Sequence, residues 1–264
     1  MTLQTVSQWG NSVALGETVE AIDERDGQTY TVKRLKMNAA GTETALWMSN
    51  LNLGAEPLTV SQLDNTNTHL ASGVSAISSS TFGSWLQTSG NTDETAPKLI
   101  PANFSNSYNV PDADTYGNKY GTLYNYAAAS AGTYVYPEGS TSFGDATSDL
   151  CPSGWRMPTG GNSTSELYKL VIDGYNVYDI NNAQWNTNGF VIIQQDLGFP
   201  LAGGFIGSVS PSGPGYGGNY WSRSAHNTGG GWNMSSLVFT DDFFSAALGS
   251  TYRGVGFSVR CIAQ

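Results

Sequence analysis

Positive charge is scarce in this sequence. Lys and Arg supply 11 of 264 residues against 21 Asp and Glu, a formal net charge of −10. Nucleic acids and anionic membrane surfaces are held through clustered Lys and Arg. The basic residues here are scattered, so neither is an expected partner. No apolar run reaches the roughly 18 residues that a membrane helix needs, so membrane insertion is not expected. The residues after Met1 lack the basic and apolar regions of a secretory leader. The expected location is extracellular or cell-surface with the leader absent from this chain; a cytoplasmic or phage-particle location stays open.

Catalytic and metal motifs are equally thin. The sequence contains no Walker loop, no HExxH and no GxSxG. Gly213-Pro-Gly-Tyr-Gly-Gly218 fits G-x-G-x-x-G formally, but Pro211, Pro214 and the lack of a following helical pattern defeat a nucleotide-binding reading. Two histidines cannot build a multi-histidine metal site, and Cys-x-x-Cys is absent. Asp112, Asp114 and Asn118 lack the distal bidentate glutamate of a calcium loop and read as a solvated turn. No catalytic residue, metal or cofactor is expected.

What is present is Gly (32 residues), abundant Ser, Thr and Asn, and an aromatic complement of seven Trp, fourteen Tyr and ten Phe. That is the profile of a loop-rich globular fold with a neutral polar surface and enough aromatic area for a core. Residues 1–20 read as an N-terminal extension or strand. Residues 21–264 read as a single domain with a long Ser/Thr/Asn-rich insertion around 54–115, in which His69 stands alone.

Asp26-Gly27 between β-rich stretches predicts a two-residue hairpin, and 45–52 predicts a strand burying Trp47. The alanine run at 127–129, with Leu123 and Tyr124 at helical spacing, predicts a helix. A second is predicted over about 164–173, with Ser163 and Glu166 as a capping box and Gly174 as its stop. Strands are predicted at 189–193, 197–205, 220–222, 234–239 and 256–261. The only two cysteines, Cys151 and Cys261, are 110 positions apart; a disulfide is expected, with two buried thiols as the alternative.

Cys151-Pro-Ser-Gly-Trp-Arg-Met-Pro-Thr159 followed by a helix resembles a block of the Fibrobacter succinogenes major paralogous domain. So do Asp26-Gly-Gln-Thr-Tyr30, Trp47-Met-Ser-Asn-Leu-Asn52, Tyr120-Gly-Thr-Leu-Tyr-Asn-Tyr126, Asn219-Tyr-Trp-Ser222 and Gly256-Phe-Ser-Val-Arg-Cys261. These six blocks, in order, span about residues 20–262. The resemblance implies an α+β, C-type-lectin-like fold: two helices, small twisted antiparallel sheets and long irregular loops. It also implies kinship with formylglycine-generating enzymes and with variable proteins of diversity-generating retroelements, which carry a diversified patch near the C-terminus. The sugar-binding calcium signature of true C-type lectins is missing.

In 217–260, frame-like Trp221, Ser222, Gly256, Phe257, Val259 and Arg260 alternate with Asn, His, Asp, Ser and Tyr. Aromatics give contact area at low entropy cost and short polar groups give adaptable hydrogen bonds. The expected function is therefore a non-enzymatic binding or display module that recognises a protein or surface glycan through a loop face at about 216–252. Its expected residues are Tyr216, Asn219, Arg223, His226, Asn227, Trp232, Asn233, Asp241, Asp242, Phe243 and Tyr252. The alternatives are an oxidase like the formylglycine-generating enzymes, which would need a reactive cysteine pair, and a purely structural surface component.

Overall fold

The computed structural model describes residues 13–51, 68–69, 99–100, 121–124, 126–131, 145–204, 213–225, 233–252 and 255–264. Its first sheet begins with β1 (Thr18–Ile22), β2 (Thr29–Lys36) and β3 (Thr44–Asn50), paired antiparallel in sequence order. Alternation along β2 buries Tyr30 and Val32, as a half-covered strand requires. The β1–β2 turn is longer than a two-residue hairpin: Ile22 pairs with Thr29, and Gly27 N donates to Asp23 O. The extra residues carry a buried ion pair, Asp23–Arg25 at 2.6 Å. From there the Arg25 guanidinium donates to Leu150 O at 2.6 Å and Thr68 Oγ1 at 3.1 Å.

Strands β4 (Leu99–Ile100) and β5 (Leu123–Tyr124) precede a short helix α1 (Tyr126–Ala129). Leu123 and Tyr124, expected in a helix, are instead both buried in a ladder. Tertiary pairing overrides their helical spacing, and the helix starts only after them. Residue 125, within that expected helix, lies outside the described residues.

Next come β6 (Trp155–Arg156), β7 (Tyr178–Asp179), β8 (Gln184–Trp185), β9 (Gly217–Ala225), β10 (Asn233–Thr240), β11 (Phe244–Tyr252), β12 (Phe257–Ser258) and β13 (Arg260–Ala263). The first sheet runs β1-β2-β3-β13-β6, the second β11-β10-β9-β12-β5-β4, and β7-β8 is a separate hairpin. The single strand expected at 256–261 therefore divides. Phe257 and Ser258 serve the second sheet, Val259 O accepts Leu51 N, and Arg260 onward serves the first. Cys151 and Cys261 are joined, Cα to Cα 5.8 Å apart. The bond ties the turn before β6 to β13, the strand beside it.

The second helix, α2, opens as an α-turn at Glu166–Tyr168 and continues as a π-helix over Lys169–Gly174. Its N-cap is Ser165, so the Ser163–Glu166 capping box does not form. Thr159 takes that part instead: its Oγ1 accepts Glu166 N at 2.9 Å, and the Glu166 carboxylate accepts Thr159 N at 2.8 Å. Arg156 holds the same carboxylate through both terminal nitrogens, which draws Glu166 away from Ser163. Gly174 is the last helical residue rather than a left-handed stop. A Cβ there would lie 2.4 Å from Lys36 O, so glycine is needed for close approach to β2. The left-handed residue is Asn176, at φ 48°.

Residues 189–193, expected to be a strand, form helix α3, an α-turn at Gly189–Val191 leading into a π-helix at Ile192–Asp196. A buried strand would cover 189, 191 and 193 together, yet Val191 is 45% exposed while Gly189 and Ile193 are buried. The apolar run fits either period. Residues 197–204 hold no named strand; Gly203 makes a parallel bridge to Gly218, and Phe205 lies outside the described residues.

Two apolar clusters result. One surrounds the disulfide with Trp155, Met157, Trp221 and Phe257; the other packs α2 and α3 on Leu35, Trp47, Phe199 and Phe239. No helix among the described residues is long and apolar enough to cross a membrane.

Asp149 is fully buried beside the disulfide turn, its oxygens accepting Cys151 N at 3.0 Å and Met157 N at 2.9 Å. Burial pushes its carboxyl up to about 7, against the pull of those N–H groups and of Arg223 and Arg156. The folded value exceeds the unfolded one, so the carboxyl favours folding below about pH 4, and that contribution is lost as pH rises through about 7. The neighbouring His69 works with opposite sign, since burial and the same two arginines lower it to about 4. Only a paired comparison isolates Asp149. In chemical denaturation, the stability difference between wild type and Asp149→Asn should shrink from about pH 4 to about pH 7 and then level off. A pH-independent difference would contradict this account.

Candidate functional site

Strands β9, β10 and β11 are the scaffold for nearly all the expected binding residues, and their register sorts those residues into two groups. Thr240 pairs with Gly217 on β9, Phe239 pairs with Phe244 on β11, and Thr240 N donates to Phe243 O. Tyr216, Asp241, Asp242 and Phe243 therefore meet at one end of the sheet. At the other end Asn233 pairs with Tyr252 and Met234 with Ala225. At about 3.3 Å per residue, the two ends are roughly 20 Å apart. His226, Asn227 and Trp232 lie outside the described residues, and Asn233 and Tyr252 are described by backbone alone.

Two expected residues are engaged in the frame. Arg223 donates Nε and Nη2 to Ala146 O, its N–H bonds Pro158 O at 2.8 Å, and its carbonyl accepts the Tyr126 hydroxyl at 2.8 Å. Its side chain thus holds the 145–150 segment against β9. Asn219 is half-buried, its amide nitrogen 3.1 Å from where a Cβ on Gly204 would lie. The residues read as frame are buried as a set, with Trp221, Ser222 and Val259 each 0% exposed. Trp221 Nε1 donates to Tyr124 O at 2.7 Å, and its ring lies 4.7 Å from that of Phe257.

The end carrying Asp241 and Phe243 rests on a wall of aromatics. Phe244 stacks on Tyr178 with centroids 4.7 Å apart and meets Trp185 edge-on at 5.2 Å. Trp185 meets Phe190 at 5.2 Å, and Phe239 stacks on Tyr220 at 6.2 Å. Gly218 permits this: a Cβ there would meet the Phe239 ring at 2.4 Å. Outside the wall Phe243 is 52% exposed and Tyr216 75%. Asp241 and Asp242 are exposed, and Asp242 Oδ1 accepts the Thr240 hydroxyl at 2.6 Å.

The Tyr178–Phe244 stack brings in a neighbour that sequence reasoning passed over, the β7–β8 hairpin. Ile180 is 49% exposed at its tip. The Asn182 side chain, then the Asn182 and Asn181 N–H groups, hold the Asp179 carboxyl below its usual range. The available signal was Tyr178 and Trp185 flanking an Asn-Asn turn.

Among the described residues no group of three or more His, Cys, Asp or Glu is placed to hold a metal ion. The Asp112–Asn118 segment lies outside them.

An antiparallel sheet, a mixed sheet in which β12 runs parallel to β9, short helices and one disulfide joining adjacent segments define an α+β domain built on a closed frame. More particularly, the chain belongs to the Fibrobacter succinogenes major domain family, whose model matches residues 43–263. No curated protein and no solved structure matches it.

Proposed function

We propose that this chain is a non-enzymatic ligand-binding module of C-type-lectin-like fold, which recognises a protein or surface glycan through its C-terminal loop face. The observation that carries the reading is where apolar surface is left uncovered. Of the five large hydrophobic side chains exposed among the described residues, Ile180, Tyr216 and Phe243 sit at one end of the β9–β11 sheet. Half-exposed aromatics on a rigid, dry support are the anchor type that recognition surfaces use. A disulfide suits an exported or cell-surface protein. The oxidase alternative lacks support, because the only two cysteines are bonded and fully buried. Retroelement diversification within 217–260 fits a sequence in which buried frame residues alternate with open positions. Adenine-directed codon changes confined to 217–253, beside a near-identical template repeat, would establish it.

The test presents the folded protein to a display library of random peptides and to a glycan array, alongside Tyr216→Ser/Phe243→Ser. Both substitutions are at exposed positions and should leave Tm within about 2 °C. Ligands that bind wild type should bind the double variant roughly tenfold or more weakly. Binders indifferent to both residues, or no binder of either class, would refute the reading.

A further inference from the structure

The exposed aromatics share their end of the sheet with carboxylates, and no cation among the described residues answers them. The sequence has no Lys or Arg between Lys169 and Arg223, nor between Arg223 and Arg253. Every described Lys and Arg is engaged elsewhere. Lys33 donates to Asp196 O, Lys36 lies over the Tyr175 ring, and Lys169 pairs with Glu43. Arg25 pairs with Asp23 and Arg156 with Glu166; Arg34, Arg223 and Arg260 donate to backbone carbonyls. Asp241 and Asp242 form the β10–β11 turn, and Asp179 adjoins Tyr178, whose ring stacks on Phe244. No ion pair among the described residues includes any of these three carboxylates.

Resting on the binding reading above, we infer that this end of the sheet docks a cationic peptide segment, one that presents Lys or Arg side chains of a partner protein. An ammonium or guanidinium can lie over the Phe243 or Tyr216 ring while the aspartates neutralise it. The built-in asymmetry, an aromatic rim with carboxylates and no basic residue among those described, repels acidic segments and raises the rate of encounter with basic ones. A neutral glycan would gain stacking here but nothing from the charge, which is why the observations favour a basic peptide.

The same random-peptide selection separates the two claims. Peptides enriched on wild type should be rich in Lys and Arg. Their affinity should fall several-fold between about 0.05 M and about 0.5 M salt, and should weaken roughly tenfold on Asp241→Asn/Asp242→Asn. Glu20→Gln/Glu24→Gln, on and beside β1, should leave it unchanged. Peptides that depend on Tyr216 and Phe243 but carry no basic bias, or tolerate loss of both aspartates, would overturn the inference and leave the binding reading standing. Recovery of glycans alone would do the same. Binding weakened equally by the Glu20/Glu24 variant would reduce the effect to net charge and overturn it too.

Discussion

Cys151→Ser or Cys261→Ser should lower the stability of the oxidised protein by roughly 4–5 kcal/mol, because the bond closes a loop spanning a separation of 110 residues in the unfolded chain. Domains of this size are stable by about 5–15 kcal/mol in total, so either variant should lie close to unfolding at body temperature. Both thiols would be buried at 0% exposure beside Trp155 and Trp221, so packing offers no relief for a serine hydroxyl there. Urea denaturation of wild type with and without reductant, beside the two variants, reads the effect. Reduced wild type should match the variants to within about 1 kcal/mol. A midpoint unchanged by reduction would mean that β13 and the turn before β6 hold together without their covalent tie.

Arg260→Ala should cost about 3–5 kcal/mol, and the conservative Arg260→Lys should recover little of it. Arg260 is 3% exposed and has no carboxylate partner among the described residues. Its Nε donates to Met48 O on β3 and its Nη1 to Leu197 O after α3, while the guanidinium lies 4.2 Å from the Phe199 ring centroid. Burial lowers its pKa to about 10, so it stays charged near neutrality. Removal takes the guanidinium's bonds from two backbone carbonyls and leaves a space beside the Phe199 ring. A single ammonium cannot span both carbonyls and stack on the ring as the planar fork does. Thermal unfolding of the two variants checks this, and a lysine variant as stable as wild type would refute the bridging role.

The frame was legible because its residues report on themselves. Trp47, Trp155, Trp221 and Phe257 are large apolar side chains in short β-rich stretches, and each is buried at 2% exposure or less. The disulfide followed from two cysteines placed in segments that turn out to adjoin. What escaped was set by partners distant in sequence. Glu166 reads as half of a local capping box, but Thr159 and Arg156 claim it across a loop. Residues 189–193 suit a strand or a helix equally; Asn188 in the left-handed region at φ 61° and the close approach of Gly189 to Val177 O select the helix. The candidate site was half legible for the same reason. Tyr216 and Asp241 to Phe243 lie in one C-terminal stretch, but Asp179 and Ile180 reach them only through the Tyr178–Phe244 stack. Arg223, expected on the binding face, donates to Ala146 O and anchors the 145–150 segment.

Hydrogen–deuterium exchange of the folded protein, with and without a peptide or glycan recovered by selection, tests the central claim most directly. Binding at the aromatic end of the β9–β11 sheet predicts added protection in 178–182, 214–219 and 240–244, with none around 47–50 or 260–263. Protection centred on the opposite end, at 225 and 233–235 and 250–252, would place the ligand about 20 Å away and contradict it.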